Sequence, residues 1–428
     1  MIKINLSNKI EERHKDYFKN KILPKLIESK TQHYIHDPAR EAHRINLDVF
    51  RFQKKFTKQH NHFIGFVKNN YKAFAIGKPY DLKQLNEKIK KFFPIIYKML
   101  KVSSNNAKEE SYNSYLYKLF GYENFKVKDL YYYISKKGKK EANRSKNCEE
   151  VRIKIVGLLI SNYPNLSNQI NNRLMPIGKV LSAVEFEKEF KKLTDINITM
   201  DNFKQIDIFG DEWSDYAFVM ESGLRVCPYC NRQYITPIFS DSGKMRADID
   251  HFLPKSRYAY FSMSIYNLVP VCKSCNQSLK GSKESGFDDI NPYEDSINDY
   301  FSFKANILTN EISIDKTHGK SKDVTLHTEK FKIGALYNYH RNQVDELIKK
   351  RIAYPDSYIK KLFNDNKDYF NDENEVKQLI VGYIKDKCRL NDEAFLKLRR
   401  DIAEQLGFMD NKQDDVLIAQ LKEILDRK

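Results

Sequence analysis

The chain has 428 residues, of which 41% are hydrophobic and 31% charged, and a formal net charge of +17. That length buries a core over two or three domains, and no apolar run reaches the ~18 residues of a membrane-spanning helix. The basic balance favours an anionic partner, most often nucleic acid.

The opening MIKINLSNKIEERHKDYFKN is charged and has no signal-peptide core, so a cytoplasmic protein is expected, with no membrane association. Residues 1–205 read as a helical N-terminal region. In DLKQLNEKIKKFFPIIYKMLKV, Leu82, Leu85, Ile89, Phe92 and Phe93 recur near helical period, and Pro94 predicts a kink or break. YYYISKKGKKEANRSKN sets Tyr131, Tyr132 and Tyr133 beside a run of cations, which could stack bases and neutralise phosphates, but reads rather as a half-buried helix end with a solvated loop. VRIKIVGLLISNY, from Val151, reads as a buried helix.

The texture changes near residue 206, and 206–300 reads as a small α+β domain. GDEWSDYAFVMESGLRV predicts a short helix leading to a cysteine pair. QYITPIF, SDSG and KMRADIDHF predict strand, turn and strand, with Asp241-Ser242-Gly243 as the turn. A loop rich in aromatics follows, in which Tyr258, Tyr260, Phe261 and Tyr266 are expected to pack the small domain. NLVPVC then predicts a short strand, and a helix starts near Asn276. Residues 301–428 read as helical again. FKIGALYNYHRNQVDELIKKRI predicts one long helix. NDEAFLKLRRDIAEQLGF predicts another, with Phe395, Leu398, Ile402 and Leu406 in one stripe, acids in its first turn and Gly407 at its end.

Four of the six cysteines form two C-x-x-C pairs, Cys227/Cys230 and Cys272/Cys275, with 41 residues between them. CPYC alone fits a dithiol redox centre as well as half a zinc knuckle. A redox pair belongs at a strand-to-helix junction in a βαβ unit; here the pair follows a helix, precedes a hairpin and has a partner pair. Four thiolates from two tight turns make a closed tetrahedral zinc site, worth roughly 10–16 kcal/mol of apparent binding energy to folding. Cys148 and Cys388 are expected to be buried, unligated thiols.

Between the pairs lie the residue types that phosphodiester hydrolysis needs. Asp250 can ligate a hard divalent cation and Asn276 can add an amide oxygen. His251 can take a proton from water. Lys255, Arg257 and Lys280 can hold phosphates, Lys280 lying four residues after Asn276 on the same helical face. Asp248 shares a strand face with Asp250 and reads as solvated. His33, His36 and His43 in HYIHDPAREAH have no ligand partner at suitable spacing, His340 reads as a surface side chain, and no Walker-type phosphate loop is present.

DHFLPKSRY, Asn267 and the CKSCN ending together resemble the HNH nuclease family, whose ββα-metal motif is often framed by two zinc knuckles. The resemblance covers about residues 224–295. It implies an endonuclease, with DNA favoured over RNA, in which His251 is the general base and Asp250 binds metal. It further implies that Asn267 orients the His-bearing loop and that Asn276 is a metal ligand. Asn276 stands where the family often has His, which favours Mg2+ or Mn2+ over Zn2+ at the catalytic position. Lys280 stands where some members carry a further His, and a charged lysine cannot be a ligand. The helical flanks resemble, more loosely, effectors of bacterial anti-phage systems, some of which work beside an ATPase subunit. A zinc-shaped nucleic-acid-binding module without catalysis and an ATPase-docking subunit are the alternative readings.

Overall fold

The computed structural model describes residues 3–31, 49–101, 111–126, 153, 155–157, 159–160, 164–176, 188, 213–240, 243–281, 285–317, 322–382, 386–409 and 415–426. It is mainly helical, with three two-stranded antiparallel sheets among the described residues. Among the described residues no helix is long and apolar enough to cross a membrane. The chain forms two compact units. One comprises Met1–Tyr122, Glu221–Thr236 and Ala247–Lys428; the other comprises Glu123–Met220 and Pro237–Arg246.

In the first unit the N-terminal helices form on amphipathic sequence. Ser7 caps Asn8–Tyr17 through its hydroxyl, which accepts from the Ile10 amide. Helices Val49–Asn69, Pro79–Phe92, Pro94–Lys101 and Tyr112–Phe120 bury Phe52, Phe63, Ile64, Leu82, Leu85, Ile89, Ile96, Leu116 and Phe120. Pro94 breaks the run as expected, because it cannot donate to the preceding turn, and it opens the next helix. Phe92 leaves the expected stripe and is 57% exposed, whereas Phe93 turns inward. Gly121, at φ 73°, closes Tyr112–Phe120 in the left-handed region and so delivers Tyr122 one residue later.

These helices pack against residues 260–264, between the cysteine pairs. His14 Nε2 donates to the Met263 carbonyl at 2.8 Å, the Ser264 hydroxyl to the Phe74 carbonyl at 2.6 Å, and the Tyr260 hydroxyl to Asn86 Oδ1 at 2.7 Å. Phe63 and Phe74 meet Tyr260 and Phe261 edge-on or tilted. Tyr260 and Phe261 thus pack as expected, but against helices from far upstream.

The strands differ from the sequence reading. QYITPIF and KMRADIDHF do not form one long hairpin. β1 (Ile238–Ser240) pairs with β2 (Gly243–Met245), while β3 (Asp248–His251) pairs with β4 (Leu268–Val271). Of the expected turn, Asp241 and Ser242 lie outside the described residues. In β3–β4 the register sets Asp250 opposite Val269 and His251 opposite Leu268. All four β4 residues are buried, so the run is apolar and does not alternate.

The C-terminal part is not wholly helical. β5 (Phe301–Ala305) and β6 (Ile312–Lys316) form a hairpin that the sequence reading placed in helical territory. Alternation in β5 turns Phe301, Phe303 and Ala305 inward. The expected long helix is three pieces, Ile333–Tyr337, a 3-10 turn at Asn338–His340, and Arg341–Ala353, with Lys332 at φ 50° before them. The last predicted helix starts at Leu396, because Phe395 sits at φ 66°; the acids therefore precede it and its first turn carries none. Leu398, Ile402 and Leu406 are buried as expected, and Gly407 ends the helix at φ 75°. In that helix Lys397 is buried on Asp401 at 2.9 Å, and Asp401 accepts the Phe303 amide at 2.8 Å, which fixes the helix to β5.

In the second unit, the helix Asp215–Glu221 contributes Phe218 to an aromatic contact with buried Trp213, which also meets Phe125. Asp215 is fully buried and pairs with Arg246 at 2.6 Å. Of VRIKIVGLLISNY, residues 153, 155–157 and 159–160 are described, all helical, with Ile155, Val156 and Leu159 buried. YYYISKKGKKEANRSKN, His33, His36, His43 and Cys148 lie outside the described residues, as does the side chain of Cys388.

Candidate functional site

Two tight turns bring four sulfurs together. In the first, the Asn231 amide returns to the Cys227 carbonyl at 2.9 Å and the Arg232 amide points at Cys230 Sγ at 3.4 Å. In the second, the Asn276 amide returns to the Cys272 carbonyl at 3.1 Å and the Cys275 amide points at Cys272 Sγ at 3.4 Å. Amides aimed at sulfur suit thiolates, which carry negative charge. Cys227, Cys230, Cys272 and Cys275 are all buried, and their sulfurs lie within 4.8 Å of one another. Cys230 and Cys272 sulfurs are 3.9 Å apart, against about 3.8 Å for two thiolates on a tetrahedral zinc. The cluster therefore fits a structural zinc ion. A redox pair, by contrast, would not converge with a second pair. Burial pushes the Cys227 thiol up, while the Cys227 sulfur beside Cys230 and Cys272 holds those two thiols down.

The first turn is anchored from downstream. Asn231, at φ 52°, accepts the Phe395 amide on its carbonyl at 2.7 Å and the Lys397 amide on Oδ1 at 3.2 Å, and donates Nδ2 to the Leu390 carbonyl at 2.7 Å. Tyr337 donates its hydroxyl to the Cys230 carbonyl at 2.7 Å, and His327 donates Nε2 to the Tyr229 carbonyl at 3.0 Å.

Residues 227–285 match the HNH endonuclease family. The match spans both cysteine pairs and everything between them. A 38% identical stretch of 66 residues, 15% of this chain, relates it to protein ea31 of Escherichia phage lambda. That alignment spans only 19% of the phage protein's length. No solved structure matches.

Within the HNH domain His251 ends β3 and is 8% exposed. Its Nε2 donates to the Ser262 carbonyl at 3.1 Å. A carbonyl only accepts, so Nε2 bears the proton in the neutral ring and Nδ1 bears the lone pair. The ring stands edge-on to Tyr122, with centroids 4.4 Å apart, and to Tyr117 at 6.4 Å. Asn267 closes the neck of the loop that follows His251. Its Oδ1 accepts the Leu253 amide at 2.7 Å, and its Nδ2 donates to the carbonyls of Leu253 and Phe261 at 3.2 and 3.0 Å. The Phe252 amide completes the clasp on the Asn267 carbonyl at 3.0 Å.

Asp250 and His251, neighbours on a strand, go to different partners. Asp250 accepts Lys280 Nζ on Oδ1 at 2.8 Å and on Oδ2 at 2.6 Å, and the Tyr229 hydroxyl on Oδ2 at 2.7 Å. Burial lowers the Lys280 ammonium from its ordinary lysine value, and the Asp250 carboxylate opposes that shift. Burial first, and Asp250 second, raise the Tyr229 phenol well above the usual range, so it stays a donor. Asn276 turns elsewhere. Its Nδ2 donates to Asp248 Oδ2 at 3.1 Å, which also takes Gln277 Nε2 at 2.9 Å. Asp248 is therefore half-buried and bonded, where a solvated side chain was expected. Two rungs result: residues two apart on β3 meet residues four apart on the turn Ser274–Lys280. That turn winds with π-type spacing and ends in a Gly281 amide bonded to the Asn276 carbonyl at 3.1 Å.

Asp250 and Asn276, expected as a ligand pair for a catalytic ion, thus have different hydrogen-bond partners: Asp250 takes Lys280 and Tyr229, and Asn276 donates Nδ2 to Asp248. Lys280, expected on phosphate, is buried against Asp250. Lys255 and Arg257 are exposed on the loop after His251. Lys255 Nζ bonds the Tyr117 hydroxyl at 3.1 Å and lies 4.5 Å from the Tyr117 ring centroid, and its carbonyl accepts Asn113 Nδ2 at 2.9 Å. Sequence reasoning missed Tyr117 and Tyr122, which lie more than a hundred residues upstream. It also missed Tyr229, inside CPYC, which donates to Asp250.

Proposed function

We propose that the protein hydrolyses nucleic-acid phosphodiester bonds, DNA in preference to RNA, with His251 as the general base. The observation that carries this reading is the bond from His251 Nε2 to the Ser262 carbonyl, which puts the neutral ring's lone pair on Nδ1, the atom able to take a proton. Water that loses its proton to Nδ1 attacks phosphorus, and the ester oxygen on the opposite side leaves with the bonding electrons. Asn267 keeps the loop behind the ring in place, so the imidazole does not swing during the proton transfer. Lys255 and Arg257, on that same loop, hold the phosphate oxygens by charge. A net charge of +17 supports a polyanionic substrate. The zinc cluster would supply no chemistry; it fixes both ends of the segment that carries the reacting residues.

The test is cleavage of plasmid DNA and of RNA by the zinc-loaded protein. His251→Ala should lower the rate by about 10²–10⁴-fold while the circular dichroism spectrum and zinc content stay unchanged. An unchanged rate in the variant removes His251 from this role.

A further inference from the structure

Lys280 is a buried cation surrounded by oxygen. Its Nζ lies 2.8 and 2.6 Å from the Asp250 carboxylate oxygens, 2.8 Å from the His251 carbonyl and 3.3 Å from the Phe252 carbonyl. The side chain is 4% exposed. One carboxylate and two successive main-chain carbonyls are the donors that a hard cation takes. Here the three N–H donors of an ammonium are shared among them. Tyr229 adds its hydroxyl to Asp250 Oδ2, so that carboxylate oxygen already accepts two donors. Asn276, the other side chain expected to ligate such an ion, donates its Nδ2 to Asp248.

We propose that the Lys280 ammonium is the resident cation of the HNH domain, and that the protein as built takes no divalent ion at Asp250. The proposal rests on the nuclease reading only in choosing Asp250 as the carboxylate where such an ion would sit. A divalent ion on either Asp250 oxygen would lie within a few ångströms of a unit positive charge and would strip that charge of its buried partners. The ammonium also grips the main chain at His251 and Phe252, so one side chain both neutralises Asp250 and fixes the end of β3. Removing the charge while keeping the oxygens should turn an ammonium site into a divalent-metal site.

Mn2+ is the probe, added to the full-length, zinc-loaded protein without nucleic acid, with free Mn2+ read by electron paramagnetic resonance and heat by calorimetry. The wild type should show no Mn2+ site that Asp250→Asn removes. Lys280→Ala should gain one such site per chain, at least about 100-fold tighter than any uptake at Asp250 in the wild type, as expected on removing a like charge at this range. The double variant Lys280→Ala/Asp250→Asn should lose it again, and Lys280→Arg, which keeps the charge, should not gain it. A wild-type Mn2+ site abolished by Asp250→Asn overturns the proposal, and so does a folded Lys280→Ala that gains none. Should Lys280→Ala fail to fold, the wild type, Asp250→Asn and Lys280→Arg decide. Because binding is read without substrate, absence of cleavage would sink the nuclease reading and leave this result standing.

Discussion

At His251 the tautomer is set by a main-chain carbonyl and the ring position by two tyrosines and an asparagine clasp. Asn267 is the residue whose loss should separate positioning from chemistry. Asn267→Ala leaves one amide and two carbonyls of a buried loop without a partner. It should lower unfolding free energy on the order of 3 kcal/mol in urea titrations and cut cleavage even where the variant remains folded. Equal turnover in a folded Asn267→Ala would show that the loop needs no clasp. The residues legible beforehand were those whose chemistry needs short, fixed spacing: the cysteine pairs, Asp250-His251 and Asn267. Lys280 was visible only as one more cation among many. Its pairing with Asp250 depends on how a strand and a turn 30 residues apart are juxtaposed, and local sequence does not encode that.

At the scale of elements, the two cysteine turns bracket β3 and β4, and the second runs into the Ser274–Lys280 turn, so an ion joining them would set the register between strand pair and turn. Cys272→Ser should act through this joint. The variant is expected to lose zinc and melt at a markedly lower temperature, as read by metal analysis and thermal unfolding. Full zinc occupancy in Cys272→Ser would contradict a four-thiolate site. Helix starts and strand partners were the elements least legible. NDEAF carries every sign of an acidic first turn, yet Phe395 takes a left-handed conformation and gives its amide to Asn231, so the helix begins after the acids. FSFKA and ISIDK alternate over only five residues each, too short a run for period alone to separate strand from helix.

For the whole molecule, residues from both flanks complete the packing of the HNH domain. Tyr260, Phe261, Met263 and Ile265 are buried, and upstream contacts reach that loop from His14, Phe63, Phe74 and Asn86. A fragment of residues 221–300 alone should therefore be insoluble or molten even with zinc, as judged by expression yield and amide proton dispersion. The same burial gives acid sensitivity. Burial holds His14 and His60 down to about 4, against 6.5 in the unfolded chain. Between those values only the unfolded state takes the proton, so stability is full above about pH 6.5 and is lost as pH falls toward 4, by up to about 3 kcal/mol per histidine. His14→Gln, which keeps a donor for the Met263 carbonyl, should flatten the decline of melting temperature over that window relative to the wild type. Parallel curves would mean that His14 does not titrate on unfolding.

Asn231 carries a consequence for biosynthesis. Asn231, which closes the turn holding Cys227 and Cys230, is held by main-chain groups of Leu390, Phe395 and Lys397, over 150 residues later in translation. Firm retention of a metal at the four sulfurs should thus wait until residues 390–397 have left the ribosome. Nascent chains arrested before residue 390 should surrender zinc to a chromophoric chelator faster than released ones.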